Sequence, residues 1–213
     1  MEKEISQLEP RALWAHFAAL NAIPRPSKKE QRAVAFMQSF GEQLGLETRV
    51  DDTGNVIISK PATAGMEDRA GIIMQGHLDM VHQKNADTDF DFDTQGIRMR
   101  VDGDWVRAEG TTLGADNGIG VAATMAVLAS DDIAHPAIEA LFTIDEESGM
   151  TGATGLKSDE LTGSILLNLD TEEDTELTIG CAGAVNVQAA GSYPQDPPGP
   201  RDAAFVVSVK GLV

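Results

Sequence analysis

Four short groups of residues in this sequence carry side chains suited to holding a divalent cation or moving a proton. His77 and Asp79 lie in Gly76-His77-Leu78-Asp79, Asp116 in Gly114-Ala115-Asp116-Asn117-Gly118, Glu146 and Glu147 follow Asp145, and Asp170 ends an apolar run. Asp79, Asp116, Glu146, Glu147 and Asp170 sharing one cleft would repel one another and be driven to take up protons. Divalent cations resolve that conflict, because two ions bring four positive charges and an imidazole with carboxylates suits zinc, manganese or cobalt. A bridging carboxylate, for which Asp116 is the candidate, would hold two ions about 3.5–4 Å apart with a water between them.

The spacings divide the labour. In an extended segment His77 and Asp79 point the same way, so Asp79 could orient the imidazole by a hydrogen bond. Glu146 and Glu147 are neighbours that would project oppositely, one toward metal and the other toward the attacking water as general base. Taken singly these patterns are ordinary: His-x-Asp is commonly a surface or capping pair, adjacent acids are commonly solvated turns, and Gly-x-Asp-x-Gly commonly opens a helix. Their joint placement after apolar strands is what argues for a site, since open α/β sheets bind ligands beyond the carboxyl ends of their strands.

The elements that must position these groups are legible in the pattern. Leu8, Leu13, Trp14, Phe17 and Leu20 space out a helix over residues 6–23, which Pro24 and Pro26 end. Ser27-Lys28-Lys29-Glu30 reads as a capping box for a second helix bearing Val34, Met37, Phe40 and Leu44 on one face. Residues 46–50 and 56–58 flank Asp51-Asp52-Thr53-Gly54-Asn55 as a hairpin, and 98–102 and 105–108 form another about Gly103. Residues 72–75, 138–144 and 165–169 are apolar runs expected as buried central strands, each running into one of the acid groups. Residues 114–130 read as a small-residue helix and 149–157 as a short one. From Leu177 the pattern turns to β, and residues 193–201, rich in proline, read as a linker or exposed loop. The fold expected is α/β, a mixed β-sheet flanked by helices.

The remaining candidates are weaker. The acidic tract Asp87, Asp89, Asp91 and Asp93 fails the EF-hand template, because Phe92 stands where Gly is needed and Arg98 where Glu is needed, so it reads as a solvated loop. His16, His82 and His135 read as structural or exposed residues, and Cys181, flanked by small residues without a base beside it, as a small packed side chain.

Composition narrows the classes of function. Sixteen Lys and Arg against 34 Asp and Glu give a net charge of −18, which argues against nucleic acid as a partner. Hydrophobic residues at 42% and charged residues at 23% suffice for a globular core in one or two domains. No apolar signal region opens the chain, and no stretch is long enough to span a membrane. A single cysteine allows no intramolecular disulfide and points to a reducing cytoplasm.

Through Gly76-His77-Leu78-Asp79-Met80-Val81, Lys84-Asn85-Ala86-Asp87-Thr88, Gly110-Thr111-Thr112-Leu113-Gly114-Ala115-Asp116-Asn117-Gly118-Ile119-Gly120 and Glu146-Glu147-Ser148-Gly149-Met150, the sequence resembles the dizinc exopeptidase family of aminoacylases, glutamate carboxypeptidases and dipeptidases. The resemblance spans nearly the whole chain. It implies a zinc-exopeptidase (phosphorylase/hydrolase-like) catalytic domain and hydrolysis of dipeptides, Xaa-His among them, by a metal-activated water. It assigns His77, Asp116 and Asp170 to one zinc, Asp116 and Glu147 to the other, Asp79 to orienting His77, and Glu146 to the general base. It also implies a truncation: family members are longer, with an inserted lid or dimerisation domain, through which homodimers form, and a last histidine ligand beyond it. Residues 1–185 are then expected as the N-terminal part of the catalytic domain and 186–213 as a linker and the start of the lid. A chain that keeps metal without turnover, a related aminoacylase or carboxypeptidase, and an acidic α/β binding protein without metal are the alternatives.

Overall fold

Pro10 sets where the first helix can begin. Its ring removes an N–H donor and disfavours helix in the residue before it, so the stretch expected as one helix from residue 6 divides into a 3-10 turn, Ile5–Gln7, and helix α1, Arg11–Asn21. The computed structural model describes residues 4–171 and, beyond them, 175–180, 183, 185, 187–192, 194, 197, 199–205 and 207. Cys181 and residues 208–213 lie outside the described residues.

Helix α2, Gln31–Gln43, starts without the expected capping box. Glu30 stands at its N-cap with no side-chain cap bond; its Oε1 instead accepts the backbone N–H groups of Lys28 and Asp145, while the Ser27 hydroxyl donates to the Met80 carbonyl. Both side chains are buried and serve the loops packed against this helix start. The hairpin β1, Glu47–Val50, with β2, Val56–Lys60, forms as read: one Asp51 carboxylate oxygen accepts the N–H groups of Thr53, Gly54 and Asn55. Strand β3 is Ile72–His77, the small hairpin is β4, Met99–Asp102, with β5, Trp105–Ala108, and helix α3 is Ala115–Ala129. Strand β6, Ile138–Thr143, helix α4, Thr151–Gly155, and strand β7, Ile165–Asn168, follow.

The main sheet has the order β1-β2-β6-β3-β7. The β1, β2 and β6 pairings are antiparallel, and β6, β3 and β7 run parallel, so the sheet is mixed as expected. Side-chain alternation buries both faces. Val56, Ile58, Met74, Ala140 and Phe142 pack with Met37 of α2 and Val121, Met125 and Leu128 of α3, whereas Ile57, Ile73 and Leu141 turn to the other face beside Leu156 and Leu161.

Strand β7 departs from expectation. Among the described residues it pairs with β3 alone and stands at the end of the strand order, with Ile165, Leu166 and Leu167 exposed. Its apolar composition suits a strand covered on both faces, but hydropathy alone does not say how many neighbours a strand has. The chain divides into two units, Met1–Asp174 and Thr175–Val213. Among the described residues of the second unit no strand forms, although the pattern from Leu177 reads as β; an alternating segment needs a ladder partner to become a strand. No helix among the described residues is long and apolar enough to cross a membrane.

Candidate metal centre

Parallel pairing sends β3, β6 and β7 to the same end of the sheet. Register then sets depth: His77 pairs with Thr143, two residues before Asp145, and Gln75 pairs with Asn168, two residues before Asp170. The groups after all three strands therefore reach the same level, beside the start of α3. That start is not regular helix: Gly114 caps it at φ +71, Asp116 and Asn117 have non-helical backbone angles, and the peptide bond between them is cis. Asp116 reaches the sheet end, with its Oδ1 2.9 Å from His77 Nε2.

The imidazole of His77, fully buried, is the hub. Its Nδ1 lies 3.1 Å from the Asp79 carbonyl and 3.3 Å from Asp79 Oδ1. Its Nε2 faces three acids, with Asp116 Oδ1 at 2.9 Å, Asp170 Oδ2 at 3.6 Å and Glu146 Oε2 at 4.0 Å. Among the described residues three sets of potential ligand atoms each lie within 4.8 Å of one another: His77 with Asp116 and Glu147, His77 with Glu146 and Asp170, and, buried behind them, Glu30 with Asp79 and Asp145. All the candidate residues thus come together. The expected opposite projection of Glu146 and Glu147 does not separate them fully, because both side chains remain within ligating reach of His77.

Asp79 does more than its spacing to His77 suggested. Its two carboxylate oxygens accept the N–H groups of Glu146 at 3.0 Å and Glu147 at 3.2 Å, so one buried side chain fixes both the imidazole and the acidic turn. Burial pushes the Asp79 carboxyl up, but the hydrogen bonds from His77 and the Glu146 N–H outweigh it and hold it at about 2. Three further residues serve the site without having been singled out for it. Asn117 donates to the Leu169 carbonyl and to Asp170 Oδ1, holding that carboxylate toward the cleft. Glu30 binds the Asp145 N–H from below the turn, and Arg25 is buried behind the His77 loop. Glu30 reads as a cap and Asn117 as part of a helix opening, because partners that come from distant segments leave no local signal.

Electrostatics show what the cluster lacks. Burial disfavours charge on His77, yet hydrogen bonds to Asp79 and Asp116 and the charge of Asp170 overcome this and raise it to about 9. Burial raises Asp170 to about 6, helped by its hydrogen bond to Asp116, and burial followed by repulsion from Asp116 raises Glu147. Carboxylates that reach for protons around an imidazole that does the same are a donor set short of positive charge, and divalent cations fit that set. His16 and His82 stand apart, edge-on to Phe40 and Phe92, and His135 is buried with Nδ1 near the Pro136 carbonyl.

Close approach imposes glycine at the mouth of α3. A Cβ on Gly114 would lie 2.6 Å from Arg25 Nη2 and 2.8 Å from Met80 Sδ, at a φ that L side chains rarely adopt. Gly114→Ala is expected to cost about 2–4 kcal/mol through strain and overpacking, read as a lowered urea midpoint. An unchanged midpoint would show that the loop has room to spare.

No protein-family model matches the chain. It is 44% identical over 209 residues to the cytosol non-specific dipeptidase of Escherichia coli (strain K12), covering 98% of this chain and 43% of that protein. Among solved structures it is similar to the aminoacylhistidine dipeptidase from Vibrio alginolyticus, with 53% identity and a TM-score of 0.80 over 81% of this chain and 35% of the other. It is also similar to an aminopeptidase from Bacillus cereus, with 26% identity and a TM-score of 0.65 over 78% and 44% of the two chains. The chain thus spans less than half the length of these relatives, and its mixed sheet with flanking helices is part of their fold.

Proposed function

We propose that this chain, similar to the N-terminal part of the cytosol non-specific dipeptidase and so to a dizinc exopeptidase, contributes the metal-holding and proton-moving side chains for hydrolysis of dipeptides, Xaa-His dipeptides among them. The observation that carries this reading is His77 Nε2 enclosed by Asp116, Asp170 and Glu146 at the shared end of three parallel strands. In it His77, Asp116 and Asp170 hold one zinc, and Asp116 and Glu147 contribute to a second, with manganese or cobalt as substitutes. Bound zinc supplies a Lewis acid for the peptide carbonyl and a water acidic enough to attack near neutral pH.

The chain's own side chains do the rest. Asp79 accepts the Nδ1 proton of His77 and so fixes the tautomer that presents Nε2 to the cleft. Glu146 is the general base: it takes a proton from the attacking water and returns it to the leaving amine. Asn117 keeps Asp170 aimed at the cleft. The setting proposed is the cytoplasm, in keeping with the single cysteine and the cytosolic relative, and association into a homodimer would run through residues beyond those present here.

Zinc titration of the chelator-stripped chain tests the reading. Binding must displace the proton from His77, whose folded value is about 9, and at lower pH the proton on Asp170, whose value is about 6. Conditional affinity is therefore expected to rise by about one decade per pH unit between pH 6 and 9, and more steeply below 6. No zinc binding at any pH would remove the metal centre. Binding without hydrolysis of an Xaa-His dipeptide, even after supplying the remaining length of a relative, would leave a metal-binding module.

A further inference from the structure

The side chain of Arg25 is the largest among the fully buried ones, and it sits where the two ligand-bearing loops meet. Its Nη1 donates to the carbonyls of Leu78 and Asp79, both at 3.0 Å. Its Nη2 donates to the Gly114 carbonyl at 2.6 Å and to Asn21 Oδ1 at 2.8 Å. Asn21 in turn donates to the Leu113 carbonyl at 3.0 Å. One planar fork therefore holds the backbone on either side of Asp79, immediately after His77, and the backbone two residues before Asp116. The Arg25 carbonyl accepts the Met80 N–H as well, stitching the segment between Pro24 and Pro26 to the same loop.

We infer that Arg25 is a positioning residue of the metal centre: its guanidinium registers the His77 loop against the Asp116 loop, and this sets how tightly the site holds zinc. The inference rests on the metal-centre reading above. The two loops also meet where the Thr112 hydroxyl donates to the Val81 carbonyl at 2.7 Å, but it is Arg25 that holds the backbone directly after His77 and that of Gly114 with one side chain. A lysine would carry the charge without the planar fork that meets three carbonyls and an amide at once. The packing is built for the fork: a Cβ on Gly114 or Gly118 would stand 2.6 or 2.8 Å from Nη2, so both glycines clear its path. Burial lowers the guanidinium to about 10, opposed by Asp79, Asp116 and Glu147, so it stays charged at neutral pH and offsets part of the acid cluster from behind. Because ligand atoms must converge within a few tenths of an ångström, a small shift of one loop against the other misplaces His77 relative to Asp116.

The test compares zinc affinity in the full 213-residue chain, wild type, Arg25→Met, Arg25→Lys and Ile58→Ala, below the melting temperature of each. Ile58 is fully buried in the core between the sheet and α2, away from the ligands, and controls for general loss of stability. Both Arg25 variants are expected to lose at least tenfold in zinc affinity and most of the zinc-dependent rise in melting temperature, while Ile58→Ala stays within twofold of wild type in affinity. Wild-type affinity in Arg25→Met overturns the inference, and so does wild-type affinity in Arg25→Lys, which would show charge without registration to be enough. Should the Arg25 variants fail to fold, Asn21→Ala, which removes one acceptor of the fork and the bond to Leu113, is read instead: a loss of threefold or more supports the inference and an unchanged affinity overturns it. A wild-type chain that binds no zinc refutes the metal centre itself, a separate outcome.

Discussion

Glu146→Gln is expected to reduce dipeptide hydrolysis by about a thousandfold, within the range that a positioned general base contributes, while zinc content stays as in the wild type. The assay uses the chain extended with the remaining length of the Escherichia coli relative, since this chain spans 43% of that protein. Glutamine keeps the shape and the hydrogen-bonding oxygen but cannot accept the proton of water. The contrast with Glu147→Gln gives the experiment its force. Both acids lie within ligating reach of His77, Glu147 with Asp116 and Glu146 with Asp170, so distance alone does not divide their roles. Glu147→Gln is expected to lose one zinc. If Glu146→Gln loses zinc instead, Glu146 is a ligand and the base must be sought elsewhere; if it keeps full activity, the general-base role is gone.

Asp116→Ala is expected to weaken zinc binding by more than about a hundredfold, beyond the 10–100-fold that changes to outer supporting groups cost, because on the proposed reading it removes a ligand of both ions. Calorimetric titration of the stripped chain reads the affinity directly. The same variant removes the 2.9 Å contact to His77 Nε2 and the hydrogen bond that helps raise Asp170, so both residues are expected to move back toward their ordinary values. The pH dependence of any residual binding should then flatten. Retention of two tight sites in Asp116→Ala would exclude a bridging role. The expected loss does not rest on misfolding, since the Asp116 side chain is more than half exposed.

Much of this centre was legible before any coordinates. Continuous apolar runs located β3, β6 and β7, the polar residues at their ends marked His77, Asp79, Glu146, Glu147 and Asp170 as candidates, and the glycine-flanked helix opening marked Asp116. Turn chemistry located both hairpins, because Asp51 and the glycines at positive φ act on neighbours only a few residues away. The elements misread were those in which a distant segment outcompeted a local preference. Ser27 and Glu30 have the spacing of a capping box, yet the carbonyl of Met80 and the N–H of Asp145 claimed them. The run from Leu177, which alternates like a strand, lies partly outside the described residues.

The sequence by itself marked the candidate residues and the strands that lead to them, because hydropathy and side-chain chemistry are properties of short segments. Tertiary structure alone decided the depth at which the strand ends meet, through the β3 register that levels His77 with the turn after Thr143 and with Asp170. It also decided that a buried arginine from the first helix boundary ties the two ligand loops together. Register and long-range hydrogen bonds arise from closing loops of 50 to 90 residues, as in Arg25 with Leu78 and Gly114, and no local window of sequence contains both partners.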